Sequence, residues 1–181
     1  MKFTALQIPD VILVEPDLMA DDRGYFFESY HQERFAENGI DANFVQDNQS
    51  LSRRGVLRGL HYQLAPFCQG KLVRAIKGAI FDVAVDIRRD SPTLGRWVGE
   101  YLNTENKRML YMPPGFAHGL CALEDGSEVL YKVTKLYSRG HERGLKWDDP
   151  AIGIVWPDLG QPYFLSAKDA ASPGLKEIIL L

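Results

Sequence analysis

Five residues of this chain are chemically suited to handling protons or ligands: His61, Lys71, His118, Tyr131 and Asp169. Around them stand Arg23, Glu28, Gln46, Asn48, Arg58, Glu142 and Lys168. An imidazole changes charge near neutral pH or ligates a metal, so proton transfer and metal binding are the two chemistries to weigh. The metal reading fails on spacing. A histidine-based metal site in a β-barrel needs two histidines one residue apart, then a carboxylate, before a later histidine. Here the run is His61-Tyr62-Gln63, with no closely following carboxylate. One histidine is a poor first half for a divalent site. Neither a metal nor any other cofactor is expected.

His61 lies in Gly55-Val56-Leu57-Arg58-Gly59-Leu60-His61-Tyr62-Gln63, which otherwise reads as a buried strand. For a lone histidine on an apolar strand, a satisfied core imidazole is the plainer alternative. Arg58 weakens it, because a guanidinium is almost never buried without an anion or ligand to meet it. Strict alternation would put Arg58 and His61 on opposite faces. A bulge at Gly59 would bring both to one face, and glycine inside a strand often marks such a bulge. The stretch is read as the floor of a binding site.

The elements that must position these groups are mostly short strands. Ile8 to Val14 reads as an opening β-type run. The turn Asp21-Asp22-Arg23-Gly24 leads into Tyr25-Phe26-Phe27-Glu28-Ser29-Tyr30. That segment fits a surface strand pinned by salt bridges and, equally, a platform where a planar base stacks. Ser29 and Gln32 have capping-box spacing for a short helix ending near Gly39, with Phe35 as its buried anchor. In Phe44 to Ser50, Gln46 and Asn48 share a parity that suits a polar cavity. Lys71, Val73 and Ala75 share one side of the strand Lys71–Ile76. Ala79 to Ile87 is the clearest strand, with Phe81, Val83, Val85 and Ile87 alternating with Asp82, Ala84 and Asp86. Strands follow at Trp97–Leu102 and Arg108–Met112, and Pro113-Pro114-Gly115 forms a rigid turn delivering His118. In Glu128–Tyr137, Val129, Tyr131 and Val133 share a side. Such punctuated strands with little helix predict an antiparallel sandwich or barrel, its mouth holding a ligand.

The bulk composition is that of an ordinary globular protein: 181 residues, 45% hydrophobic, 25% charged and a net charge of −3. One domain over residues 1–181 is expected. Nothing in this balance asks for nucleic acid or a membrane as partner. Met1 to Leu6 has no apolar signal core, and Cys68 and Cys121 form no CxxC. A cytoplasmic protein with free thiols is expected.

Several motifs together resemble one family. They are the Gly55–Gln63 run, Gln69-Gly70-Lys71-Leu72-Val73, Asp82-Val83-Ala84-Val85-Asp86-Ile87-Arg88, Pro113 to Gly119, Tyr131-Lys132 and Leu165-Ser166-Ala167-Lys168-Asp169. Ser91-Pro92-Thr93, Trp147, Asp149-Pro150 and Ile152-Gly153-Ile154 fit as well. The chain is similar to dTDP-4-dehydrorhamnose 3,5-epimerases, enzymes of dTDP-L-rhamnose synthesis, nearly from end to end. The resemblance implies an all-β, cupin-like antiparallel jelly-roll barrel with short peripheral helices, free of metal and acting as a homodimer with shared active sites. It implies His61 as base, Asp169 as its orienting carboxylate, Tyr131 as proton donor and Lys71 as the enolate-stabilising cation. Nucleotide-sugar contacts are implied at Arg23, Glu28, Gln46, Asn48, Arg58, His118, Glu142 and Lys168, with Phe26 an aromatic face for thymine. The segment from Arg23 to Glu28 is implied to reach the partner subunit's site.

Alternatives keep their place beside this reading. Tyr131 would also serve as a barrel-wall tyrosine, and Asp169 as the cap of a short helix with Ser166. A relative inverting only one centre of a related 4-keto sugar would use the same His, Asp and Tyr. A non-catalytic sugar-binding jelly roll would keep the arginines and aromatics without needing a base opposite an acid.

Overall fold

The computed structural model describes residues 1–181. Along the chain run β1 (Lys2–Ala5), β2 (Ile12–Glu15), a hairpin of β3 (Met19–Asp21) and β4 (Gly24–Phe26), and helix α1 (Gln32–Glu37). Next come β5 (Gln46–Ser52), β6 (Leu57–Gln63), β7 (Lys71–Lys77) and β8 (Ala79–Asp86). The chain continues through β9 (Trp97–Asn103), β10 (Met109–Met112), β11 (Phe116–Ala122), β12 (Ser127–Val133), β13 (Glu142–Gly144) and helix α2 (Ala167–Ala170). Two antiparallel sheets face one another, ordered β1-β2-β10-β7-β12-β5 and β13-β6-β11-β8-β9. From β5 onward most consecutive strands cross from one sheet to the other, which is how a jelly roll closes.

Strand periodicity sorts side chains into three apolar layers. Between the sheets lie Val73 and Ala75 of β7, Ile80 and Ala84 of β8, Phe116 and Leu120 of β11, and Val129 of β12. The odd-numbered residues of β8, Phe81, Val83 and Val85, point the other way, where the chain after β13 covers them with Leu145, Ile152 and Trp156. On the outer face of the six-stranded sheet, Phe35 packs with Ile12, Val14, Leu72 and Met109. Six helical residues are too few to hold themselves in water, so α1 depends on this fully buried ring. Burying each such side chain contributes about 1.5–3 kcal/mol.

Three local expectations are corrected. Ile8–Val14 is not one strand, because Pro9-Asp10 makes a turn in which Val11 donates to Ile8 at 2.9 Å; Lys2–Ala5 supplies an edge strand instead. Ser29 and Gln32 form no capping box. The N-cap is His31, whose Nδ1 accepts from the Arg34 N–H at 3.4 Å, since Gln32 is already the first helical residue. β12 stops at Val133 rather than Tyr137: the Thr134 hydroxyl accepts from the Gly70 N–H and Gln63 donates to the Leu136 carbonyl, so the chain leaves the sheet.

The bulge in β6 lies where glycine allows it. His61 stands opposite His118 and Arg58 opposite Leu120, so Gly59 and Leu60 together face Gly119 alone. A Cβ on Gly59, at φ +122°, would lie 2.6 Å from the Gly119 Cα and 2.7 Å from the His118 carbonyl oxygen. Gly59→Ala should therefore cost about 3 kcal/mol or more of unfolding free energy. Gly140→Ala, with nothing within 4 Å of its Cβ, should stay within about 0.5 kcal/mol of the parent. Urea denaturation measures both, and equal midpoints would show that the crossing is not tight.

Candidate active site

Alternation from the bulge and from four flanking strands brings the polar groups into one barrel mouth. Arg58 and His61 point inward from β6, His118 from β11, Lys71 from β7 and Tyr131 from β12. Gln46 and Asn48 point inward from β5. Two connected lobes of about 200 and 410 Å³ share His61, Lys71, Tyr131, Tyr137 and Glu142 as walls. Arg58, His118, Lys168 and Asp169 line the larger lobe, and Gln46 and Asn48 the smaller. His61 belongs to the five-stranded sheet and Tyr131 to the six-stranded one, so an imidazole and a phenol face each other across the space.

His61 is locked by Asp169, whose Oδ1 lies 2.6 Å from Nε2. Asp169 is itself fixed where α2 starts: its N–H donates to the Ser166 hydroxyl at 3.1 Å. Helix capping and imidazole binding thus coexist, Ser166 serving the first and the Asp169 carboxylate the second. Burial pushes the Asp169 carboxyl upward, but the hydrogen bond to His61, its charge, and the bonds from Ser166 and the Gly59 N–H together outweigh it and hold the group below its ordinary value. With Nε2–H donated to a carboxylate, Nδ1 is left as the basic atom.

A second couple sits beside the first. His118 Nε2 is 2.7 Å from Asp82 Oδ1, and both side chains are buried. Burial lowers His118 below the usual imidazole value against the pull of Asp82, so it is neutral at pH 7. Burial also lowers Lys71 to about 8, opposed by Asp82 and Glu142. Tyr131 moves upward through burial and keeps its proton at neutral pH.

Charged groups rim the opening. Arg58 reaches across to β5, donating Nε–H to the Ser52 hydroxyl and Nη2–H to the Leu51 carbonyl, each at 3.0 Å. Glu142 accepts from Lys168 at 2.6 Å and from the Tyr137 hydroxyl at 2.9 Å. Gln46 donates to Asn48 at 2.7 Å and accepts from the Tyr137 N–H at 3.0 Å.

Three of the sequence candidates lie elsewhere. Arg23, Phe26 and Glu28 line neither lobe. Arg23 pairs with Asp21 on the exposed β3–β4 hairpin, Phe26 is 65% exposed, and Glu28 accepts from Arg34 at 3.0 Å. Sequence reading misses the wall residue Tyr137 and also Asp82, which lines neither lobe but holds His118 from behind. Asp82 was visible only as the polar half of an alternating strand, whose inward face the sequence does not identify. No three His, Cys, Asp or Glu side chains converge into a metal-ligating group. A wider groove of about 820 Å³, lined by Phe67, Tyr111 and Leu136 among others, contains no imidazole.

Residues 5–177 match the family model described as dTDP-4-dehydrorhamnose 3,5-epimerase. The chain belongs to that family. The dTDP-4-dehydrorhamnose 3,5-epimerase of Pseudomonas aeruginosa is 57% identical over 170 residues, 93% of each chain. Among solved structures, RmlC from Legionella pneumophila in complex with dTDP-4-keto-L-rhamnose superimposes with a TM-score of 0.94 at 46% identity, covering 98% of this chain and 94% of that one. ChmJ, a 3′-monoepimerase from Streptomyces bikiniensis, is more distant: TM-score 0.88 and 33% identity, covering 94% and 86%. The fold is thus the jelly roll of these epimerases, and the protein is an isomerase.

The Asp169–His61 couple predicts the outcome of a single isosteric change. Asp169→Asn keeps the volume but no longer supports the charged form of the imidazole. Its kcat should fall by roughly 10²–10⁴, with KM changed only a few-fold. Steady-state kinetics on the folded variant decide, and a kcat within twofold of the parent would remove Asp169 from the mechanism.

Proposed function

We propose that this chain inverts C3 and C5 of dTDP-4-dehydro-6-deoxy-D-glucose, giving dTDP-4-dehydro-L-rhamnose for dTDP-L-rhamnose synthesis. The observation that carries the reading is an oriented imidazole on one barrel wall facing a protonated phenol on the other, with a buried lysine between the same walls. The C4 ketone acidifies the protons at both neighbouring carbons, so one base serves either centre. His61 Nδ1 removes the proton, and the enolate oxygen gathers charge beside Lys71, in place beforehand. Tyr131 returns a proton from the opposite face, which inverts the carbon. Arg58 and Lys168 meet the diphosphate, with His118, Gln46, Asn48 and Glu142 holding the remaining polar edges.

Residues 1–181 act as one catalytic domain in the cytoplasm; no helix is long and apolar enough to cross a membrane. The enzyme works without a cofactor as a homodimer with shared sites. The hairpin supports this, because Met19, Tyr25 and Phe26 are 58–65% exposed on a short free ribbon. Such a ribbon is a poor free edge and a good interface element. Two-fold pairing carries Arg23, Phe26 and Glu28 to the partner's barrel mouth, where thymine stacks on Phe26 and Arg23 meets phosphate.

Incubation with the 4-keto sugar nucleotide in D₂O tests the chemistry, NMR locating the label. Deuterium at C3 and C5 supports the proposal, deuterium at one carbon supports a monoepimerase like ChmJ, and none supports a binding module. His61→Asn should abolish exchange, whereas Tyr131→Phe should exchange without productive inversion; wild-type inversion by Tyr131→Phe would overturn its role.

Mixing subunits tests the shared site. Arg23→Ala and His61→Asn chains, once mass spectrometry of differently tagged chains shows exchange, should form heterodimers with one intact site and one doubly defective site. Activity should then rise above that of either unmixed variant. No gain after proven exchange would place Arg23 in its own subunit's site.

A further inference from the structure

Asp82 has no assigned part in the chemistry, yet it is a fully buried carboxylate whose Oδ2 has no hydrogen-bond partner. It lies on β8 with Ile80 and Ala84 on the barrel-facing side. Its only partner is His118, through Oδ1 at 2.7 Å. Lys71, 7% exposed, makes no ion pair with any carboxylate closer than 4 Å. A buried anion with a free oxygen thus stands behind His118, which lines the larger lobe together with the buried, unpaired cation Lys71.

The charged and titratable groups that face Lys71 come from every wall. Asp82 comes from β8, His118 from β11, Arg58 and His61 from β6, Tyr131 from β12, Glu142 from β13, Lys168 and Asp169 from α2, and Tyr137 from the loop after β12. The negative charges among them are not equivalent. Glu142 is neutralised by Lys168 at 2.6 Å, and Asp169 is committed to His61 at 2.6 Å. Asp82 bonds to an imidazole that burial keeps neutral, so its charge is left for the nearest unpaired cation.

We propose that Asp82 is a positioning residue that keeps Lys71 charged in the empty site while leaving its ammonium hydrogens free for the substrate's oxygen. A direct ion pair would hold the charge but occupy the donors. A carboxylate tied to His118 holds it through space. The inference deepens the reading of Lys71 as the enolate-stabilising group and rests on it.

Asp82→Asn is the informative change, because its amide oxygen still accepts from His118 Nε2–H while the charge is removed. In ¹⁵N-lysine-labelled protein, with the Lys71 resonance assigned by its loss in Lys71→Arg, the Nζ titration is read without turnover. Its midpoint should drop by about one unit or more in Asp82→Asn, a tenfold loss of proton affinity. The alkaline fall of kcat/KM should move down by the same amount, and Lys71→Arg should lack that fall. An unmoved Lys71 midpoint in folded Asp82→Asn overturns the proposal. So does a wild-type midpoint below pH 7, which is measurable even if the variant does not fold. A shifted midpoint without any effect on the kcat/KM profile would instead remove Lys71 from the chemistry and leave the electrostatic coupling standing.

Discussion

The crossing of β6 and β11 governs everything polar in this barrel. At Gly59 and Gly119 the two backbones approach so closely that a Cβ on either would meet an atom of the other strand at under 3 Å. The extra residue accommodated there reverses the parity of β6. Before it, Leu57 packs outward and Arg58 inward; after it, Leu60 and Tyr62 pack outward and His61 inward. Without the bulge, one of Arg58 and His61 would be driven into the apolar layer under Trp156. The same crossing sets His61 opposite His118, which places the two histidine–carboxylate couples side by side.

Burial then decides which groups carry charge. Asp169 and Asp82 are each nearly or fully enclosed, and each spends an oxygen on a histidine. A desolvated ion costs several kcal/mol unless it is matched, so one enclosed mouth can hold only a few charges of each sign. His118 and Tyr131 resolve this by staying neutral, both displaced in the uncharged direction. Lys71 is displaced the same way but only to about 8, which leaves it a cation at neutral pH. The resting site therefore presents a carboxylate-bound imidazole, a phenol that still holds its proton and one buried cation, with Arg58 and Lys168 nearer the opening.

Much of this was legible in the sequence, for physical reasons. A common side for Lys71-Val73-Ala75 and for Val129-Tyr131-Val133 follows from period-two alternation, and Val73, Ala75, Val129 and Tyr131 face the barrel interior. The bulge was legible because glycine interrupts an apolar run between two polar residues. Asp82 was less so. Alternation in β8 showed two faces, but both are buried, and only the sheet opposite determines that Asp82 shares the inter-sheet side with Ile80 and Ala84. Tyr137 lies just past the end of β12, where strand parity no longer predicts direction. His31 as a cap was hidden because Ser29 matched the commoner capping pattern two residues too early.

The same layering explains how the fold tolerates an unbalanced site. The polar mouth occupies one end of the inter-sheet space, while Leu13, Leu102, Leu110 and Met112 fill the rest. Two further apolar layers flank the sheets from outside. Because those layers grip both sheets independently of the mouth, the strands stay in register whether or not the mouth is filled. A free oxygen on Asp82 and a free ammonium on Lys71 are then affordable local costs rather than threats to the barrel. Rigid walls also matter for inversion. Base and acid act from opposite faces of a flat intermediate, so their separation must not relax when the carbon changes geometry. Strands anchored by packed cores on both sides meet that demand better than loops would.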